Sequence, residues 1–337
     1  MSKKKILIIR FSSIGDVILS TPIIRSLKLQ ISNSEVHYCT SNDTAFLVEN
    51  NPYVDKVFQY ETLYPLIQLL KPEDYDYIID LQNDFHTKII KWRLGVRSIS
   101  PGESSWKKWL MTKFKIQLLP NKHIVERYLE ALEPLNIKTD DKGLDYFIPD
   151  RDEVEEDWLP ESHRKYYVVY AISGDSSTKK LPLKKMIQLC DTINKPIILI
   201  GNKEDKSTAA EIENFFTRSK QSGQNEKILE KLNKKALIFN ACGLFNFNQF
   251  ASIIKRAGLV FTHDNEYMHV SAALKKEIFT IWGNTVPGFG KYPYKTKFSV
   301  LENKDLGCRP CSQKGFDSCP KKHFKCMNDI VFNFYLP

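Results

Sequence analysis

Twice along this chain, short continuous runs of Ile, Leu, Val and Phe alternate with stretches of helical spacing. Runs that are apolar throughout indicate strands buried on both faces of a parallel sheet. The first series places strands at Lys5–Arg10, Glu35–Thr40, Val54–Tyr60, Tyr75–Leu81 and Val96–Ser100. Helices are expected between them at Val17–Leu29, Thr44–Asn50, Thr62–Leu70 and Phe85–Leu94, with His123–Leu135 closing this half. A polar stretch, Pro149 to Asp157, reads as a linker. The cadence then restarts, with strands at Tyr166–Ser173, Pro196–Gly201, Ala236–Asn240, Leu259–Thr262 and Ile278–Trp282, and helices at Leu183–Ile193, Glu204–Phe216, Asn248–Arg256 and Met268–Leu274. The expectation is two doubly wound α/β domains, residues 1–155 and 156–337. Such sheets bind ligands at the carboxyl ends of their strands, and two facing units make a central cleft.

At 337 residues the chain is long for one core and comfortable for two. Its 49 basic residues against 40 acidic give a net charge of +9. That balance suits an anionic partner, and equally suits ordinary solubility. Nucleic acid is not expected, because no recognition motif accompanies the charge. Met-Ser-Lys-Lys-Lys precedes about five apolar residues, fewer than the roughly 7–15 of a secretory signal or the about 20 of a spanning helix. A cytoplasmic protein is expected, with Cys39, Cys190 and Cys242 as reduced thiols in apolar runs.

The loop after the first strand, Phe11-Ser12-Ser13-Ile14-Gly15-Asp16, holds two hydroxyls, one glycine and one carboxylate where a ligand is expected. Asp16 at a helix start can simply cap it and oppose its dipole. It can also take a proton from an incoming hydroxyl. The nicotinamide fingerprint Gly-x-Gly-x-x-Gly is not met here, and no P-loop occurs in the chain.

Three stretches follow strands of the second half. In Ala171-Ile-Ser-Gly-Asp-Ser-Ser-Thr-Lys-Lys-Leu-Pro, small hydroxyl residues and Lys179 beside a helix start suit a phosphate. In Ile200-Gly-Asn-Lys-Glu-Asp, Asp205 either caps a helix or binds ribose hydroxyls. In Phe261-Thr-His-Asp-Asn-Glu-Tyr-Met-His, Asp264 and His269 flank a turn whose free N–H groups suit a diphosphate.

In order along the chain, these stretches resemble glycosyltransferase family 9, the heptosyltransferases of lipopolysaccharide core assembly. The matching residues are Ser12-Ser-Ile-Gly-Asp16 with Thr21-Pro22, Lys179-x-x-Pro182, Gly201 with Asp205, and Asp264-x-x-x-Met-His269-x-x-Ala-Ala. Trp282-Gly-Asn-Thr-x-Pro287 and Cys308-x-Pro-Cys311 complete the set. The resemblance implies a GT-B fold of two Rossmann-like domains, the first taking the acceptor and the second a sugar nucleotide, typically ADP-heptose. It implies inverting transfer to a lipopolysaccharide-type or related lipid-linked acceptor, with Asp16 as general base and Ser13 and Gly15 supporting its loop. Lys179 would neutralise the departing diphosphate, Asp205 would bind ribose, and the Asp264–His269 turn would hold phosphate or sugar. Another nucleotide sugar on the same fold, or a non-catalytic binding relative, are the alternatives.

Many relatives carry glycine two residues after that aspartate, where this chain has Glu266, and His263 just before it is also unusual. Three outcomes stay open: a donor seated differently, a metal ion such as Mg²⁺ at the diphosphate offsetting the added charge, or weakened transfer.

Three smaller signals complete the reading. Asp74-Tyr-Asp76 matches a metal-holding Asp-x-Asp pattern, yet short acidic pairs arise by chance. Cys308, Cys311, Cys319 and Cys326 have the count for a structural four-thiolate zinc site, with His323 competing as a ligand. Reduced thiols in a packing segment are the other reading, and no catalytic metal is expected. Ser104 to Ile116 reads as a basic amphipathic helix with Trp106, Trp109, Leu110 and Phe114 in one stripe beside Lys107, Lys108 and Lys115. Such a helix either packs on the N-terminal core or lies on an anionic bilayer, placing the protein peripherally on the inner face of the inner membrane.

Overall fold

The computed structural model describes residues 3–102, 105–116, 120, 122–221 and 236–336. Among these residues the chain forms two compact units, Met1–Ser104 with Pro120–Phe147, and Ser105–Leu119 with Ile148–Pro337.

The first unit is built on a five-stranded sheet of β1 (Lys4–Ile9), β2 (Ser34–Ser41), β3 (Lys56–Tyr60), β4 (Tyr77–Asp80) and β5 (Ser98–Ile99). The order is β3-β2-β1-β4-β5, with every pairing parallel. Its helices are α1 (Ile14–Leu19), α2 (Thr21–Gln30), α3 (Leu63–Leu70) and α4 (Phe85–Leu94). α5 (Ser105–Phe114) follows in the chain, then α6 (Ile124–Glu130). Ile6, Leu7, Ile8 and Ile9 are fully buried, as a central strand covered on both faces requires. Each such side chain contributes about 1.5–3 kcal/mol by leaving water.

The expected helix Val17–Leu29 is two helices. Pro22 stands at the start of α2 and lacks the N–H that would continue α1. The Ser20 and Thr21 hydroxyls instead donate to the carbonyls of Val17 (2.6 Å) and Ile18 (2.8 Å). The expected helix Thr44–Asn50 is a 3₁₀ segment, Asn42–Leu47.

The second unit carries six parallel strands: β6 (Val168–Ala171), β7 (Pro196–Ile200), β8 (Leu237–Asn240), β9 (Leu259–His263), β10 (Ile278–Trp282) and β11 (Phe298–Glu302). Their order is β11-β10-β9-β6-β7-β8. The helices are α7 (Glu161–Arg164), α8 (Leu183–Ile193), α9 (Lys206–Gln221), α10 (Phe247–Arg256), α11 (Glu266–Ala273) and α12 (Lys325–Asn328). β11 was not expected. It is an edge strand, only Leu301 of it is buried, and its sequence lacks the apolar run that marks the others.

The stretch expected to link the domains is docked. Asp152 accepts from the Asn246 and Asn248 amides at 2.8 and 2.9 Å, and the Val154 N–H donates to the Ser252 hydroxyl at 2.9 Å. Glu153 pairs with Lys255 at 2.6 Å. These bonds seat the segment at the start and along the side of α10, so the division falls at Phe147 and not at 155.

α5 groups with the second unit and not with the N-terminal core. Met111 is buried against Phe289, and the Lys115 ammonium donates to the Pro310 carbonyl at 2.6 Å. Trp109 and Phe114 keep 51% and 55% of their surface exposed. Ser104 and the side chain of Trp106 lie outside the described residues. Among the described residues no helix is long and apolar enough to cross a membrane.

Candidate active site

In the first unit, β1 ends at Ile9 and delivers Arg10 and Phe11 into the loop before α1. Ser13 is the N-cap residue of α1, and Gly15 and Asp16 are buried in its first turn. Asp16 is more than a cap. Its Oδ2 meets the Arg10 guanidinium at 2.5 Å and lies 3.4 Å from the Ser13 hydroxyl, which donates to it. Arg10 also donates to the Leu81 carbonyl at the end of β4, and the Phe11 N–H donates to Gln82 (3.2 Å). The carboxylate is therefore oriented by a side chain anchored on the neighbouring strand, at the ligand-binding end of the sheet. Arg10 was missed in the sequence because the five residues of the intervening loop and helix start separate it from its partner.

In the second unit, Lys179 ends a 3₁₀ turn between β6 and α8 and is 8% exposed. Its ammonium lies 3.2 Å from the Asp264 carboxylate, 3.3 Å from Asp175 and 3.3 Å from the Asp264 carbonyl. Burial works against its charge, but Asp264 and Asp175 outweigh it and hold the ammonium above its ordinary range. Asp264 stands between β9 and α11 and also accepts from the Thr285 hydroxyl at 2.8 Å. His269 is buried one turn further on in α11. Of the sequence-predicted residues, Lys179 and Asp264 are thus in direct contact, and His269 follows in the helix after Asp264.

Asp205 has a different setting. Its Oδ2 accepts from the Ser173 hydroxyl (2.5 Å) and the Asn202 N–H (3.1 Å), and its Oδ1 pairs with Lys180 at 2.6 Å. Burial raises its pKa, but Lys180 and Ser173 outweigh that effect and hold the carboxyl below the usual range. Both oxygens are engaged in shaping the turn between β7 and α9. Gly201 beside it is closely approached: a Cβ there would stand 3.0 Å from both Asp205 Oδ2 and Ser173 Oγ, and those side chains would have to give by a few tenths of an ångström.

His263, unusual in the sequence, is a neutral staple. The Leu181 N–H donates to its Nε2 at 3.1 Å, so that nitrogen carries the lone pair. Nδ1–H then donates to the Ser173 carbonyl at 3.1 Å. Burial holds its pKa down at about 4.

Sequence reading also missed a cavity of about 340 Å³ at the turn after β7, lined by Gly201 to Glu204, Gly243 and the rings of Phe245, Phe247, Phe250 and Tyr267. Phe247 and Tyr267 stack with centroids 5.3 Å apart. The aromatic residues come from two helices and a loop, so no local motif announces them. An apolar, ring-lined cavity next to buried charges suits a flat heterocycle attached to a phosphate.

Among the described residues no three His, Cys, Asp or Glu side chains gather closely enough to hold a metal ion. Cys308, Cys311, Cys319 and Cys326 are free thiols, and Cys308 Sγ lies 4.0 Å from His323 Nε2. Asp76 accepts from the Lys5 N–H at 2.8 Å at the start of β4, the end of the sheet opposite Asp16.

Two parallel α/β units, each with polar side chains at the carboxyl ends of its strands, define the GT-B class of glycosyltransferases. A lipopolysaccharide heptosyltransferase 1 from Campylobacter coli is 24% identical over 339 residues, covering 93% of this chain and 92% of that protein. A family 9 glycosyl transferase of known structure from Veillonella parvula superposes with a TM-score of 0.68 at 20% identity, covering 90% of this chain and 88% of that one. The Escherichia coli heptosyltransferase WaaC, solved with ADP-2-deoxy-2-fluoro heptose, gives 0.62 at 18% identity over 88% and 92%. The model of glycosyltransferase family 9 (heptosyltransferase) matches residues 63–322, and this chain belongs to that family.

Proposed function

We propose that this glycosyltransferase moves heptose from ADP-heptose to a hydroxyl of a lipopolysaccharide-core acceptor, with inversion at the anomeric carbon. The observation that carries the reading is the buried Lys179 held between Asp264 and Asp175; a ring-lined cavity at the turn after β7, in the same unit, supports it. A buried cation and a partly ring-lined cavity in one unit fit a nucleoside diphosphate, and WaaC, a member of the same structural class, was solved with an ADP-sugar analogue. In this reading the adenine enters the cavity, Lys179 balances charge on the leaving diphosphate, and His269 and the start of α11 face the phosphate or sugar. Asp205 acts through the turn that carries Asn202 to Glu204. Asp16, oriented by Arg10, accepts the proton of the attacking hydroxyl as the glycosidic bond forms and the sugar–phosphate bond breaks.

The test is a thermal-shift screen of ADP-heptose, ADP, ADP-glucose and UDP-sugars, followed by transfer to a delipidated core acceptor. Stabilisation by the adenine nucleotides, with turnover only of ADP-heptose, is expected. Equal stabilisation by UDP-sugars would overturn the donor assignment.

The acceptor class places its lipid in a bilayer, and the exposed Trp109 and Phe114 on the lysine-rich α5 suit an anionic bilayer surface. Co-sedimentation with phosphatidylglycerol vesicles at low salt, reduced several-fold by Trp109→Ala/Phe114→Ala, is expected. Binding unchanged by that pair would count against the contact.

A further inference from the structure

At the ligand-binding end of the first sheet, aromatic rings climb from the core to the surface. Phe11, in the loop after β1, is buried, and its ring stacks on that of Tyr60, the last residue of β3, with centroids 4.2 Å apart and planes 18° from parallel. Tyr60 is half-buried and meets the exposed His86 ring at 6.1 Å, and Phe85 meets His86 at 6.3 Å. Phe85 opens α4 and keeps 73% of its surface exposed. Hydrogen bonds tie these rings to the loop that carries Asp16. Arg10 pairs with Asp16 and donates to the Leu81 carbonyl, and the Phe11 N–H donates to the Gln82 side chain at 3.2 Å. The Gln82 amide donates in turn to Asp84 at 3.1 Å, and Asp84 caps α4 by accepting from the Thr87 N–H at 3.0 Å. A continuous set of contacts thus runs from the Asp16 carboxylate to the exposed ring.

We infer that Phe85, with His86 and Tyr60 beside it, is a stacking ledge for one sugar ring of the acceptor saccharide. This deepens the proposed function and rests on Asp16 receiving the acceptor hydroxyl in the first unit. A single exposed ring needs no explanation, but this one heads a chain of rings that starts in the loop of the proposed base. A pyranose turns a patch of slightly positive C–H groups to one side, and these suit the electron-rich face of an aromatic ring. The Tyr60 hydroxyl and the His86 imidazole supply polar atoms for the hydroxyls around its rim. The charges here disfavour a phosphate. Asp16 and Asp84 are both carboxylates, and the Arg10 guanidinium is already paired with Asp16. The uncharged face of a sugar meets no such repulsion.

The probe is delipidated lipopolysaccharide core oligosaccharide lacking heptose, titrated calorimetrically into the full chain, with ADP-glucose titrated in parallel. Phe85→Ala and Phe85→Leu should each raise the dissociation constant for the core about three- to tenfold, the range of one aromatic contact, and Phe85→Trp should restore it. Affinity for ADP-glucose should stay the same in all three. Trp92→Ala controls for exposure alone, since Trp92 is as exposed as Phe85 yet stands seven residues, about 10 Å, further along α4. It should bind the core as wild type does. Core affinity unchanged in Phe85→Ala, or kept in full by Phe85→Leu, overturns the ledge, as does an equal loss in Trp92→Ala. Wild type that binds ADP-glucose but not the core overturns the acceptor assignment and the ledge with it, leaving the donor site standing. Core binding that depends on the Phe85 ring, in a protein that ignores adenine nucleotides, overturns the proposed donor and supports the ledge. Phe85 is exposed, so its replacement leaves no void, and the tryptophan variant reads the same contact as a recovery.

Discussion

Asp16 meets the Arg10 guanidinium at 2.5 Å, whereas Lys179 is held by two carboxylates, Asp264 and Asp175, at 3.2 and 3.3 Å. The first arrangement is balanced before any ligand arrives. Arg10 fixes the direction of the carboxylate, and little in that loop has to change for it to accept a proton. The second sets two carboxylates against one ammonium. A preorganised carboxylate suits proton transfer, and a cation shared between carboxylates suits binding and release of an anion. The contrast teaches that one protein can use carboxylates for opposite ends, depending on how many cations each is given.

The comparison breaks first at its two principal side chains. Asp16→Asn should cut the transfer rate by about a hundredfold to ten-thousandfold while donor affinity stays unchanged. Lys179→Gln should reverse that pattern, weakening ADP-sugar binding by about ten- to a hundredfold, the range expected for charge-assisted hydrogen bonds worth about 1.5–3 kcal/mol. Parallel kinetics and calorimetry on both variants check this, and equal losses of rate and affinity in the two would erase the distinction.

Asp205 supplies the smallest effect and sharpens the comparison within the second unit. Its folded-state pKa lies below the ordinary value, so its contribution is present above that value and disappears as pH falls through the folded one. Asp205→Asn should lower stability by about 1.5–3 kcal/mol at pH 7, by loss of charge-assisted hydrogen bonds. The deficit should shrink below about pH 4, where the wild-type carboxyl also becomes neutral. Urea midpoints at pH 3, 5 and 7 measure it, and a deficit that stays constant down to pH 3 would remove Asp205 from this role.

Most of the architecture was legible in the sequence, because strands buried on both faces must be apolar throughout. β10 and α8 begin and end at the residues expected, and the other central strands differ by a residue or two at their ends. What escaped was governed by tertiary contacts. β11 lies at an edge and needs no apolar run. The acidic stretch 149–157 is polar, yet its carboxylates find partners on α10, which composition alone does not reveal. Lys179 and Asp264 stood out because each follows a strand, and His269 because it lies in the helix after β9. Arg10 and the ring-lined cavity did not, since their parts meet only once the sheets form. Asp205 caps its own turn through the Asn202 N–H, and its ties to Ser173 and Lys180, from the segment after β6, were not legible in the sequence.

One buried side chain near the C-terminus carries a practical consequence. The Arg309 guanidinium grips the carbonyls of Trp282, Gly283, Thr285 and Asn303, and pairs with Glu302. Thr285 is the residue whose hydroxyl reaches Asp264, so the tail is riveted to the segment that holds this carboxylate. Trimming the protein ahead of this arginine would unpick that segment from behind. The last thirty or so residues belong to the working part of the enzyme, and a shortened form should not be mistaken for a minimal one.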